Sequence, residues 1–493
     1  MKKIVLFVMA LLAMAGCAKE NIAQEENNQA NSNHPLLEIG LESTKVALGA
    51  EENGKFPVVW SEGDEIAVID NMGIEGKQNV SIYRLKSGAG SSNGTFEHVS
   101  GDAFPDVIKD VVFPASVVLP QSTLLSDIPL IDPTQLVKKE QTQGYAEDNF
   151  DPSSPVLYFH NNSDKKAPIV LSPISCVVCI PIKGYDNNDI VTAVKWQHMD
   201  GRTVTVTLNC PEGGVKLSQT QATNFYLSVP ATIADTDTFN SIVYVYLKNG
   251  AIQVQTPRTR KRFEAGTLHR FPEWQLGRKA KWTILGIGSE RDASTWKQTP
   301  LGPGQYMIDG NEISWWEFRR QLKPDNSGPQ MAGPHTVVID LGKVESIKGI
   351  KIKSKEIKDS PKYGITNDKG ADIYGSQSYN PPHTYKVAFT NEKPSQTVID
   401  AFTKNSTNIV WPTGLSQYTF KGKDDGSTYA SINDCYGTDK KTWWVRHLKG
   451  ENNINTSISA RYLFIHFQSS WNNAGTGTAA SMMKVAELDI ITE

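Results

Sequence analysis

Between residues 36 and 276 the chain is built from short apolar runs broken by turn residues. Runs rich in Val, Ile, Thr, Tyr and Phe recur at 56–60, 64–70, 80–85, 111–113, 169–182, 190–196, 203–208, 224–229, 241–247 and 252–254. Clusters of Gly, Asn, Asp and Pro separate them, and the 3.6-residue period of an amphipathic helix is nearly absent. This pattern predicts β-sandwiches. At the first motif Trp60 closes a strand and packs inward, Gly63-Asp64 turns the chain, and Ile66 and Val68 alternate into the core. Gln, Asp, Asn, Ser and Pro accumulate across 139–166, which predicts a break between one lobe at 36–160 and a second at 161–276. A third strand-rich segment covers 279–493.

The amino terminus follows another pattern. Lys2 and Lys3 precede an apolar run at 4–13, too short and wrongly flanked for a spanning helix, so residues 1–16 read as a signal peptide. Residues 18–33 are dominated by Glu, Asn and Gln without a large apolar cluster, which predicts a disordered tether over 17–35. Met14-Ala15-Gly16-Cys17 resembles the lipobox of a bacterial lipoprotein. That resemblance implies that Cys17 is lipidated and anchors the chain to the outer membrane. Glu20, Glu25 and Glu26 loosely resemble the export signal that carries Bacteroidota lipoproteins to the cell surface.

Composition removes several function classes. With 50 basic and 53 acidic residues and a formal charge of −3, the chain has no excess of positive charge to attract nucleic acid. The length of 493 residues exceeds what one core usually serves. Cys176, Cys179, Cys210 and Cys435 lack the spacing of a disulfide framework. Cys176 and Cys179 stand three apart in an apolar run, so on a strand their thiols point to opposite faces, as buried core residues. The basic cluster Arg258-Thr259-Arg260-Lys261-Arg262 reads as a solvated or edge strand ahead of the next strand.

Several landmarks in order resemble the fimbrillin-like lipoproteins of Bacteroidota. They are Thr44-Lys45-Val46, then Phe56-Pro57-Val58-Val59-Trp60-Ser61-Glu62-Gly63-Asp64-Glu65-Ile66, Gly94-Thr95-Phe96, Phe113-Pro114-Ala115-Ser116, and Phe263-Glu264-Ala265-Gly266-Thr267-Leu268. The resemblance implies two transthyretin-like sandwich lobes and a role in or beside adhesive fimbriae. Some members polymerise by strand donation after an arginine-directed cut near the amino terminus. Here no arginine lies between Cys17 and Arg84, so that route is in doubt.

The segment 279–493 carries a second resemblance. Trp282, Tyr306-Met307-Ile308-Asp309-Gly310-Asn311, Trp316, His335-Thr336-Val337-Val338-Ile339-Asp340-Leu341-Gly342, Tyr462-Leu463-Phe464-Ile465 and Val485-Ala486-Glu487-Leu488 together are similar to the discoidin, or coagulation-factor type C, domain. This is the galactose-binding-like fold, an eight-stranded jelly roll used by many carbohydrate-binding modules. The expected fold class is therefore all-β: two fimbrillin-like β-sandwich lobes followed by a discoidin-like jelly roll, with insertions near 356–379 and 421–455.

Two features of this last domain carry chemistry. Asp309, Asn311 and Ser314 bring oxygens together around Gly310, a donor type that hard cations favour. The resemblance extends the set to backbone carbonyls of Tyr306 and Ala486 and the carboxylate of Glu487, and implies a structural calcium or sodium ion. Aromatic faces with polar neighbours suit pyranoses, and Trp443, Arg446, Trp471 and Asn472 are the expected ligand-binding residues, chosen from composition and loop placement. No nucleophile elbow, metalloprotease helix motif, phosphate loop or dinucleotide fingerprint is present, which points away from an enzyme.

The sequence thus describes a cell-surface lipoprotein with a glycan-binding domain on a stalk. The alternative is a fimbrial anchor or tip subunit whose last domain contacts protein. Cys17→Ala is expected to shift the protein from the membrane fraction to the soluble fraction, because the tether has no apolar stretch to hold it. Continued membrane retention of that variant would contradict the lipid anchor.

Overall fold

The computed structural model describes residues 34–42, 59–70, 77–101, 106–118, 128–129, 136–143, 150–151, 153–199, 203–231, 239–255, 258–259, 263–288, 304–311, 316–317, 320–322, 329–331, 335–354, 382–404, 409–421, 444–450, 454–471, 477–479 and 484–492. The signal peptide, Cys17 and residues 18–33 of the tether lie outside these residues, as does Cys435; His34, expected in the disordered tether, instead stacks on His98 of the first lobe at 3.9 Å. The architecture is nearly all β, and among the described residues the α-helix is Gln396–Thr403. None of the described helices is long and apolar enough to cross a membrane.

The first lobe is an eight-stranded sheet, and all but one of its strands close into a ring. Glu65–Asp70 pairs with both Lys77–Ser87 and Asp110–Phe113. The order then runs through Leu157–His160, Ile169–Pro173, Leu37–Leu41 and Asn93–Ser100 back to Lys77–Ser87. Ile66 and Val68 enter one buried cluster with Trp60, Tyr83, Phe96 and Phe113. Ala67 and Ile69, on the opposite face, enter another with Val112 and Val118. Strict alternation therefore carries two apolar sets, because this strand is covered on both sides. Trp60 itself precedes the strand: its backbone bonds Ser91 and Gly90, and the turn beyond it needs Gly63 at φ +85°. Its ring meets Phe96 and Phe113 edge-on at 4.8 and 5.4 Å.

The second lobe is a sandwich of a four-stranded and a seven-stranded sheet. Ser175–Lys183 is central to the smaller sheet, between Thr223–Pro230 and the closing strand Leu268–Arg270. Cys176 faces the inter-sheet core with Val178 and Ile180, whereas Cys179 faces outward with Val177 and Tyr226, beneath Phe150. The opposite-face reading of the two thiols therefore holds. Arg258–Thr259 adds antiparallel to Phe239–Leu247, at the strand end of the basic cluster.

The seam between these lobes differs from the sequence expectation. Ile169–Pro173, assigned by sequence to the second lobe, pairs with Leu37–Leu41 and Leu157–His160 in the first. The lobes therefore part near residue 174 instead of 160. The polar stretch read as a break is also structured in part: Glu140–Thr142 runs parallel to Thr203–Asn209 of the second lobe. Asp151 holds it, accepting from Lys138 Nζ at 2.9 Å, the Thr142 amide at 3.1 Å and the Ser153 amide at 3.0 Å. Polar composition marked this segment as a linker, yet its hydrogen-bonding side chains satisfy an edge strand.

The C-terminal domain sets a six-stranded sheet against a four-stranded one. Thr336–Ile347, Ile458–Trp471 and Pro382–Thr390 dominate the first sheet, and Lys484–Ile491 and Gly349–Ser354 the second. Trp282, Ile339, Ile350, Tyr385, Leu463 and Leu488 fill the space between them. The helix Gln396–Thr403, capped by Ser395, lays Ile399 and Phe402 on the outer face of the larger sheet against Phe464 and Val338. Residues 356–379 of the first expected insertion, and 422–443 and 451–453 of the second, lie outside the described residues.

Trp60→Ala is expected to destabilise the first lobe by about 3–5 kcal/mol, since the ring has no neighbour free to refill the space. A denaturant midpoint equal to wild type would show that the interior does not depend on this side chain.

Candidate functional site

The strand registers define two ends of the C-terminal sandwich. At one end the chain passes from Ile347 through Lys348 to Gly349 and so from one sheet to the other. Lys348 accepts from the Leu448 amide and donates to Ile491 O, both at 2.7 Å. Gly349 is required there, because a Cβ would stand 2.2 Å from Arg446 O. At the opposite end of the larger sheet lie Thr336, Pro382 and Trp471, with Pro382 opposite Ser470 and Trp471 opposite Gly477. At the corresponding end of the smaller sheet lie Ser354, Val485 and Trp444, the last paired with Ile352.

These registers bring one expected ligand position, Trp471, to a rim that also holds Trp444. The backbone of Trp471 ends its strand there, and Trp443 immediately precedes Trp444. Trp443 and Asn472 themselves, and the side chains of Trp444 and Trp471, lie outside the described residues. Arg446 departs from the expectation. It pairs with Ile350 toward the tight-turn end, is 6% exposed, and donates from Nη1 to Val445 O at 2.7 Å. A side chain so buried does not belong to a shallow exposed rim. The sequence reading weighted arginine chemistry there and had no measure of burial.

The expected cation ligands fall against the second lobe, with Glu487 paired to Lys353. Asp309 is fully buried and its Oδ1 accepts the Asn311 amide at 2.8 Å, closing the turn at Gly310. Its carbonyl accepts the Val254 amide from the second lobe at 3.1 Å, and the Tyr306 ring stacks on Tyr244 of that lobe at 6.1 Å. Ala486 is buried in the last strand, and Ser314 lies outside the described residues. Glu487, 2% exposed, receives Lys279 Nζ on Oε1. Burial raises the Glu487 carboxyl from its ordinary range, while Lys279 and the Gly310 amide pull it down.

The residues present do not fit a divalent ion beside Glu487. Its Oε2 makes no hydrogen bond, but an ion on that oxygen would share the carboxylate with the ammonium, about 4–7 Å away. At an effective dielectric of about 20, repulsion over that range is about 5–8 kcal/mol for a dication and about 2–4 for sodium. Among the described residues no cluster of three or more His, Cys, Asp or Glu is arranged to hold a metal.

Lys279 was missed as a site residue, although it stands in Arg278-Lys279-Ala280-Lys281, three cations in four positions just before the buried Trp282. The turn Arg278–Lys281 divides these cations between two bodies. Arg278 reaches Asp489 Oδ1 at 2.5 Å and Ile490 O at 2.7 Å. Lys281 turns to Asp189 and Asp186 of the second lobe at 2.5 and 2.9 Å.

Beside this joint lies a polar cleft of about 510 Å³. Its lining includes Lys281 and Asp189, already paired, and Arg461, which holds Asp340 through two parallel bonds at 2.8 and 2.9 Å. None of its described lining residues is aromatic, so these offer no stacking face to a sugar.

No protein-family model matches the chain, and no curated protein does. Solved structures similar to it include the C-terminal domain of a chitobiase from Bacteroides fragilis, 16% identical over 44% of this chain and 97% of that one, with a TM-score of 0.24. A family 32 carbohydrate-binding module of Clostridium perfringens NanJ, in complex with galactose, is 14% identical over 43% and 95%, with a TM-score of 0.21. A SusE-like protein is 12% identical over 72% and 95%, with a TM-score of 0.24. At identities and scores this low the likenesses carry no argument, and the functional reading rests on the chain's own residues.

His466, near the rim end, pairs in register with Thr336 and Lys386. Burial, with a smaller push from Lys386, lowers its pKa from 6.5 to about 4. Above about pH 6.5 the ring is neutral in both states. Between that value and about 4 the unfolded chain takes up a proton that the folded chain refuses, so stability falls as pH falls. Melting of His466→Gln is expected to depend less on pH across this window; equal slopes for the two proteins would exclude the effect.

Proposed function

We propose that the chain is a surface lipoprotein that binds glycan through the rim of its C-terminal domain, with the two N-terminal lobes acting as a stalk. The register that brings Trp471 and Trp444 to one end of the sandwich carries this reading. Tryptophan faces suit the C–H side of a pyranose, and Asn472 beside Trp471 suits its hydroxyls. Such a rim binds and does not catalyse.

The competing reading is a fimbrial anchor or tip subunit. It draws on the fimbrillin-like landmarks, but one observation weighs against strand donation into the first lobe. In the uncut chain Leu37–Leu41 sits between Asn93–Ser100 and Ile169–Pro173, so a neighbour's strand could enter only after this one was removed, and no arginine lies between Cys17 and Arg84 to direct that cut.

Glycan-array binding by the mature chain tests the proposal. Trp471→Ala is expected to weaken binding by at least about tenfold while leaving the melting temperature unchanged. A large melting loss, with binding merely following the folded fraction, would remove Trp471 from the site. Silence across host and plant glycans, with capture of a fimbrial subunit, would favour the structural reading.

A further inference from the structure

The cluster around Glu487 has the chemistry of a cation site: a fully buried Asp309, a buried Asn311, and a buried carboxylate that approaches the Gly310 turn. A bare carboxylate in such a place is unfavourable without an adjacent positive charge. We propose that the positive charge is Lys279, whose ammonium serves as the built-in cation of this cluster and ties the end of the second lobe to the last strand, so that no metal is required at Glu487.

Three independent contacts support this. Lys279 is 8% exposed, and its Nζ lies on Glu487 Oε1 and 5.6 Å from the face of Trp282, a position with an anion on one side and a ring quadrupole beside it. The flanking Arg278 and Lys281 pin the turn in both directions, so the lysine stem is delivered from a fixed backbone. The turn that a metal would organise is held instead from the second lobe, by Val254 on the Asp309 carbonyl and by Tyr244 on Tyr306. A metal staples a domain to itself, whereas Lys279 staples it to its neighbour. The inference is independent of what the rim binds.

Thermal melting of the full mature chain, with and without millimolar calcium or a chelator, tests it. Wild type is expected to melt at the same temperature in all three conditions. Lys279→Met is expected to lower the transition by several degrees, because it leaves a buried carboxylate uncompensated. Adding Glu487→Gln to that variant is expected to recover part of the loss, which distinguishes charge compensation from general damage to packing. A calcium-dependent rise in the wild-type transition, or a Lys279→Met transition equal to wild type, would overturn the proposal. So would a double variant no more stable than Lys279→Met.

Discussion

The relation between the second lobe and the C-terminal domain depends on how buried charge is compensated at their seam. Four residues, Arg278–Lys281, deliver three cations to carboxylates on two bodies, and Ala280 between them is itself buried and accepts from Asn249. Surface ion pairs contribute little, but a pair as enclosed as Lys279 and Glu487 is sensitive to the loss of either partner. Its partners therefore constrain where the last strand and the Gly310 turn can sit. The joint is polar and specific, in contrast to the apolar cores on either side of it.

That joint also borders a polar cleft. It occupies the flank of the C-terminal sandwich nearest Asp309, Glu487 and Asp340. The polar cleft beside it has most of its charges committed to one another, as the Arg461–Asp340 pair illustrates. The rim end gathers the starts and finishes of strands at Trp444, Trp471 and Ser354. Glu487 of the joint and Val485 of the rim end lie on one strand, two residues apart.

The first lobe solves a different problem. An open sheet with apolar residues on both faces would expose an edge able to pair with another chain. Closure through Glu65–Asp70, together with Leu37–Leu41 between two neighbours, removes those edges. Trp60 occupies the interior as the landmark motif led one to expect, although it lies ahead of the strand and not within it.

Much of the fold could be read from residue order. Alternation at Ile66 and Val68, the opposite-facing Cys176 and Cys179, and the long apolar strands at 336–347 and 458–471 are local patterns, because a strand repeats every two residues whatever surrounds it. Three features escaped. The seam near residue 174 and the strand Glu140–Thr142 depend on which distant partner completes a hydrogen-bond ladder, and composition does not encode partners. The helix Gln396–Thr403 had a local signal in Ser395 followed by Val398, Ile399 and Phe402, but it is brief among strands. The sequence alone determined the strand-rich character, the three segments and the supply of candidate ligand residues. Only the tertiary structure decided that Arg446 is buried and that Glu487 meets an ammonium, because burial and charge pairing arise from chain segments brought together across some two hundred residues, as with Lys279 and Glu487 at a separation of 208.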